Sequence, residues 1–340
     1  MVSCQTTISE AINQALHVEM AADDKVICIG EDIAGGAGVD GSEGIGGVFG
    51  VTMGLAQKFG RARVIDTPIS ETSFVGMAIG ASMTGLKPVV EIMFCDFIGV
   101  CFDQILNQAA KVRFLSNGRI NMPLVIRTTM GAGDGSGAMH SASLHGLLAS
   151  VPGLTVACPS NAADAAGLLR AGLRSPDPMI LLEHKGLYGK SSDAVDEWPV
   201  AVIGEGRFVS RGDDITIVAV GAMVRVAEAA AKKLALEGIN VEIIDPRTIN
   251  PLDLKIIISS VEKTGRLIVV DEGPNYIGFA DGVISAVTQS CFDVLNAAPR
   301  SICPLSTPVP YAAMAEAAWL PSLDQIIEAA NTMMSENYGK

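Results

Sequence analysis

The stretch Arg63–Phe94, RVIDTPISETSFVGMAIGASMTGLKPVVEIMF, holds the repeating unit of the fold. Val64-Ile65-Asp66 is a short apolar run that predicts a buried strand, TPISE turns the chain, and a helix runs from there to Thr84. The segment Thr72 to Leu86 carries no charge but is short and broken by Ser, Thr and Gly, so it reads as a buried helix and not as a membrane span. Val89–Phe94 is the next strand. Strand, helix and strand in succession call for a parallel sheet covered on both faces.

The alternation extends in both directions. Thr7-x-x-Glu10 is a capping box that opens a helix, with Ile8, Ala11, Ile12, Ala15 and Leu16 at helical spacing. Val26–Gly30 is a strand ending in Glu31-Asp32, followed by the glycine-rich AGGAGVDGSEGIGGVFG. Beyond Phe94 come a helix from about Ile98 to Leu115, strands at 124–127 and 154–158, a helix at 162–173 and a strand at 179–183. The acidic, Pro- and Gly-containing segment Ser191–Phe208 breaks the pattern and marks a boundary. Strands at 215–220, 241–244 and 267–270 then alternate with helices ending near Glu237, Lys263 and Phe292. The expected architecture is α/β with two doubly wound domains, 1–190 and 209–340, joined by a linker at 191–208. In such sheets ligands gather at the carboxyl ends of the strands.

Composition narrows the function. The chain has 340 residues, 49% apolar and only 18% charged, with 36 glycines and a mean hydropathy of +0.38. Disordered chains have the opposite balance. So apolar a chain predicts surface buried in an assembly. A net charge of −13 without a basic stripe excludes nucleic acid as a partner. There is neither a signal-like start nor a membrane span. Seven scattered cysteines with no CxxC suggest neither disulfides nor zinc, and point to the cytoplasm.

Several motifs are incomplete. Gly133-Asp134-Gly135-Ser136-Gly137-Ala138 fits a dinucleotide fingerprint after a strand, but the next strand ends in Cys158-Pro159 with no acid. The same Gly-Asp-Gly begins a magnesium–diphosphate motif that closes with paired asparagines, whereas Asn161 stands alone. Glu71 follows a strand and starts the uncharged helix. It reads either as an acid favoured by the helix dipole or as a lone carboxylate at the mouth of an apolar pocket, where desolvation favours the proton-donating form. His140 and His145 follow the glycine loop. Phe94, Asp96 and Phe97 sit past the next strand, as core aromatics or as part of a ligand rim.

On these residues the chain resembles the beta subunit of the thiamine-diphosphate-dependent component of 2-oxo acid dehydrogenase-type complexes, over nearly its whole length. The matching segments are IGEDIA (29–34), 63–94, FDQILNQAAK (102–111), HSASLHG (140–146), VPGLTVACPSNAADAAGLL (151–169), IDPRTINPLD (244–253) and TPVPY (307–311). The AGGAGVD insert, GGVFGVTMGLAQKFG (46–60), MFCDFIGVCFDQ (93–104) and IRTTMGAG (126–133) lean to the acetoin dehydrogenase branch of that family.

The resemblance implies transketolase-like pyrimidine-binding and C-terminal domains and half a cofactor site. The alpha subunit holds the diphosphate and Mg2+, and this chain holds the aminopyrimidine. It implies that Glu71 bonds the pyrimidine nitrogen and sets its tautomer, that Phe97 stacks on the ring, and that Ile69 and Met93 line its pocket. His140 would act near the reacting centre, with Met139 standing where many relatives have glutamine. Glu31 would join a proton path between paired sites. Backbone carbonyls of Leu124, Gly172, Leu173, Ser175 and Asp177 would bind K+. The expected reaction cleaves acetoin to acetaldehyde, leaving a hydroxyethyl-cofactor adduct that acetylates the lipoyl arm of a dihydrolipoamide acetyltransferase. The expected assembly is a heterotetramer of two alpha and two beta chains, with the C-terminal domain making subunit contacts and docking the acyltransferase. A pyruvate or branched-chain 2-oxo acid dehydrogenase subunit is the alternative. A non-catalytic scaffold subunit and a nicotinamide dehydrogenase are more distant ones.

Overall fold

A computed structural model describes residues 5–35, 46–193 and 198–336. In it the stretch 63–94 forms strand Val64–Asp66, helix Glu71–Met83 and strand Lys87–Phe94. The described residues fall into two compact units. One lies within Met1–Met130 and Leu148–Ile203, the other within Gly131–Leu147 and Gly204–Lys340.

The first unit is built on parallel strands in the order Thr155–Ala157, Met179–His184, Val125–Met130, Lys87–Phe94, Val26–Gly30 and Val64–Asp66. Strands Val26–Gly30, Val125–Met130 and Met179–His184 are buried along their whole length, as expected where helices cover both faces, while Lys87–Phe94 is half-buried at Lys87, Glu91, Met93 and Phe94. Register aligns Gly30 with Asp66 on one side and with Glu91 on the other, so the carboxyl ends point the same way and Lys87–Phe94 runs three residues further. The capping box at Thr7 and Glu10 forms as read, and its helix Ile8–Ala22 packs on helix Ala162–Gly172.

In the second unit, parallel strands Arg300–Ile302, Leu267–Val270, Ile215–Ala219 and Val241–Asp245 carry an antiparallel edge strand, Arg207–Ser210. Helix Met223–Leu236 and the unforeseen helix Leu323–Ser335 cover a core that includes Ile217, Ala227, Ile243, Ile268 and Ile326.

Several expectations change. Helix Glu71–Met83 buries only the stripe Glu71, Phe74, Val75, Ala78, Ile79 and Ser82, which recurs at i, i+3 and i+4. Thr72, Ser73, Met77 and Gly80 on its other face are exposed. A helix with no charge beyond Glu71 is therefore half-covered by the described residues. The helical run from Ile98 to Leu115 is interrupted by a π-helical turn, Gln104–Ala109, a feature that often marks functional positions. The segment read as a linker contains strand Ser191–Asp193, antiparallel to Gln5–Thr7, and the start of strand Arg207–Ser210, while residues 194–197 lie outside the described set. Residues 131–147, which the sequence division left in the first domain, pack with the second unit. Carboxylates of that unit capture their backbone, because buried N–H groups need acceptors.

Candidate functional site

The carboxyl edge of the first unit collects the residues singled out by sequence. Glu31 directly follows strand Val26–Gly30, Glu71 follows strand Val64–Asp66 across the turn at 67–70, and Phe97 follows strand Lys87–Phe94. These three strands are neighbours in the sheet, so parallel register alone places all three side chains on one rim.

Glu71 is the first residue of its helix, where its negative charge meets the positive end of the helix dipole. Its neighbour Ser70 does not cap the helix through its side chain but turns its hydroxyl to the Pro68 carbonyl. Glu71 is only 7% exposed. Among the described residues its carboxylate accepts no hydrogen bond. Such a group is costly to bury without a partner. Its charge reaches its surroundings: burial, followed by the charges of Glu71 and Asp32, holds the Glu31 carboxyl above its ordinary value. Burial and Glu71 together push the Cys101 thiol up to about 12. Thr72 donates its hydroxyl proton to the Val100 carbonyl (2.7 Å), which pins the start of the Glu71 helix to helix Ile98–Asp103.

Phe97 is half-buried and meets Phe94 edge-on, with ring centroids 5.7 Å apart. Phe94 also meets Phe49, and Phe49 packs against Tyr188. The aromatic rim thus extends into the glycine-rich segment, of which residues 36–45 lie outside the described set. Met93 is half-buried, and its carbonyl accepts the Thr129 hydroxyl. Ile69, in the turn before Glu71, is 84% exposed.

Beneath Met93 lies a polar cluster that sequence reasoning missed. The Arg127 guanidinium donates Nε and Nη2 to the two oxygens of Glu183 (2.8 and 2.7 Å) and Nη1 to Glu91 (2.6 Å). The Tyr188 hydroxyl also donates to Glu183. Both carboxylates outweigh the effect of burial and keep Arg127 firmly charged. The signal was present as a single charge inside each apolar run: Glu91 in VVEIMF, Arg127 in LVIRTTM and Glu183 in MILLEH. A lone charge in a buried strand needs a counter-charge on the next one.

His140 and His145 both lie in the segment Gly131–Leu147 of the second unit, His145 as the first residue of helix His145–Ala149. His140 is half-buried and Met139 beside it is exposed. His145 is fully buried, with Nε2 2.9 and 3.0 Å from the two oxygens of Asp271, and is thus a structural partner of that carboxylate. The Ala132 N–H donates to Glu272, and the Gly133 and Gly135 N–H groups donate to Glu316.

For the five carbonyls read as a cation site, the chain around Gly172 is drawn tight. A Cβ at Gly172 would lie 2.8 Å from Val125 Cγ2 and 2.9 Å from Met179 Sδ. Leu124 O already accepts from Met179 N and Gly172 O from Ser175 N, which leaves each carbonyl one lone pair. Among the described residues no group of three or more His, Cys, Asp and Glu is placed to hold a metal ion. No described helix is long and apolar enough to cross a membrane.

With this geometry in hand, comparison with known proteins is specific. Residues 5–190 match the transketolase pyrimidine-binding domain and residues 204–326 the transketolase C-terminal domain. The acetoin:2,6-dichlorophenolindophenol oxidoreductase subunit beta of Cupriavidus necator is 46% identical, over 96% of this chain and 97% of that one. The mitochondrial pyruvate dehydrogenase E1 component subunit beta-1 of Arabidopsis thaliana is 41% identical, over 96% of this chain and 88% of that one. Among solved structures, a split-gene transketolase described as an inactive beta4 tetramer superposes with a TM-score of 0.75 at 21% identity, covering 97% of this chain and 99% of that one. At that identity the likeness speaks for the fold.

Proposed function

The chain belongs to the beta-subunit family of thiamine-diphosphate-dependent 2-oxo acid dehydrogenase-type enzymes, and from that premise we propose that it is the beta subunit of an acetoin dehydrogenase. The observation that carries the reading is Glu71, a largely buried residue at the carboxyl edge of a parallel sheet, with no hydrogen-bond partner for its carboxylate among the described residues. The donor set fits an aminopyrimidine: Glu71 would bond the ring nitrogen, Phe97 would cover the ring face, and Met93 and Ile69 would line its edges.

When bound, thiamine diphosphate supplies the carbon nucleophile that opens the carbon–carbon bond of acetoin. Glu71 holds a proton at the pyrimidine nitrogen and so sets the ring tautomer. Glu31 keeps its proton to a higher pH than an exposed glutamate, as a proton path between paired sites requires. His140 orients substrate or passes a proton during release of acetaldehyde and transfer of the remaining two carbons. Those carbons leave as an acetyl group on a lipoyl arm, whose disulfide is reduced.

The diphosphate and Mg2+ belong to an alpha subunit in a cytoplasmic heterotetramer of two alpha and two beta chains. The uncharged exposed face of helix Glu71–Met83 supports such burial by a partner. A lipoyl-bearing dihydrolipoamide acetyltransferase would receive the acetyl group. A potassium ion would be held by the carbonyls of Leu124, Gly172, Leu173, Ser175 and Asp177.

The test is reconstitution with the alpha subunit and Mg-thiamine diphosphate, comparing acetoin with pyruvate and branched-chain 2-oxo acids. Acetoin should be the preferred substrate, and Glu71→Gln should lower turnover by about 10²- to 10⁴-fold with melting unchanged. Faster turnover of a 2-oxo acid would favour the pyruvate-type alternative, to which the 41% identity with the Arabidopsis chain points. Full activity without an alpha chain would end the half-site reading.

A further inference from the structure

We propose that Glu316 is a positioning residue for His140: its carboxylate fills the glycine cradle of residues 133–137 and thereby fixes the loop that presents the imidazole. This rests on the role given to His140 above.

Three successive alternate glycines, Gly133, Gly135 and Gly137, have φ of +113°, +74° and +68°. L side chains rarely adopt that region, and there the backbone can turn its N–H groups inward. Such a concavity binds anions. Here the anion is internal. Glu316, 4% exposed on helix Ala313–Trp319, accepts from Gly133 N on Oε1 (2.8 Å) and from Gly135 N on Oε2 (3.0 Å). The cradle that reads in sequence as a phosphate fingerprint is thus occupied by the chain's own carboxylate.

Charge-assisted bonds of this length are about twice as strong as neutral ones. The same turn leads directly to the histidine, because the His140 N–H donates to the Gly137 carbonyl. Tyr311 packs against the outside, so that a Cβ at Gly137 would lie 3.1 Å from its Cβ. The loop ends are held separately, Ala132 N by Glu272 and His145 by Asp271. Between those ends Glu316 holds Gly133 and Gly135, the latter five residues before His140.

The experiment is a double-mutant cycle in the reconstituted enzyme with its lipoyl partner, using Glu316→Gln, His140→Ala and the pair. The glutamine keeps the shape but sets an NH2 group against an N–H donor. Glu316→Gln should lower kcat for overall acetyl transfer by about 10- to 100-fold, the scale of a displacement near 1 Å, with KM for acetoin within about twofold. The double variant should be no slower than His140→Ala, because Glu316 acts through that residue. Multiplied losses would overturn the inference in favour of a merely structural acid. Normal kcat in Glu316→Gln beside an impaired His140→Ala would also overturn it. Normal rates in His140→Ala would remove the role of His140 itself, and with it this inference. If the glutamine chain fails to assemble, Glu316→Asp, with the charge one methylene short, completes the cycle with the same expectations.

Discussion

Arg127→Met is the sharpest test of how the floor of the site is built. Arg127 is 2% exposed, and its side chain makes three charge-assisted bonds of 2.6–2.8 Å to Glu183 and Glu91, which are 0% and 11% exposed. Replacing it with methionine keeps the volume but leaves two carboxylates without a cation. Breaking a buried pair in this way costs about 3–5 kcal/mol. For a unit of this size each kcal/mol moves the melting midpoint by about 2–4 °C, so the midpoint should fall by roughly 6–20 °C. The loss should depend on pH. Burial already holds Glu91 above its ordinary value while Arg127 pulls it down, so without Arg127 its folded pKa rises further. A carboxylate with a raised folded pKa stabilises the fold below its unfolded pKa, and that contribution is lost as pH rises through the folded value. Scanning calorimetry between pH 5 and 8 should therefore find the variant closer to wild type at the acid end. Because the cluster lies beneath Met93 and Phe94, turnover should fall as well. A midpoint within about 2 °C of wild type, or a deficit independent of pH, would refute the reasoning, since neither carboxylate would then have needed Arg127.

Two further outcomes are expected. Burial opposes charging His145, but Asp271 against Nε2 and the nearby Glu272 outweigh it and raise its pKa above 6.5. Its contribution to stability is then complete below pH 6.5 and lost as pH rises through the folded value, so the wild-type melting midpoint should decline on that alkaline side. His145→Gln should abolish the slope, and an equal slope in the variant would exclude His145 as its source. Phe97→Ala should raise the thiamine diphosphate concentration needed for half-maximal activity by about tenfold, the equivalent of about 1.4 kcal/mol of lost stacking. Unchanged cofactor dependence would remove Phe97 from the ring face.

Much of the fold was legible because both of its signals are local. Apolar runs such as VICIG and LIVV, alternating with helical spacing, identify buried parallel strands without any knowledge of their neighbours. Thr7 and Glu10 cap a helix through contacts three residues apart. The order of strand ends placed Glu31, Glu71 and Phe97 on one side of a sheet before any pairing was known. The short helix Ala313–Trp319 and the edge strand Arg207–Ser210 were not read, because their stretches carry no strong period of their own.

Long-range charge pairing was out of reach. Arg127 meets Glu91 and Glu183 across 36 and 56 residues, and the glycine loop meets Glu316 across more than 180. Sequence by itself determined two sheets of parallel strands and which side chains stand at their carboxyl ends, since periodicity and hydrophobicity act over a few residues. Only the tertiary structure decided which buried charges neutralise one another and which are left open. It assigned Glu316 to the glycine cradle and Asp271 to His145, and left Glu71 without a hydrogen bond among the described residues. The physical reason is that desolvating a charge costs free energy wherever it lies in the chain, whereas the partner that offsets this cost is found only when the strands and helices pack.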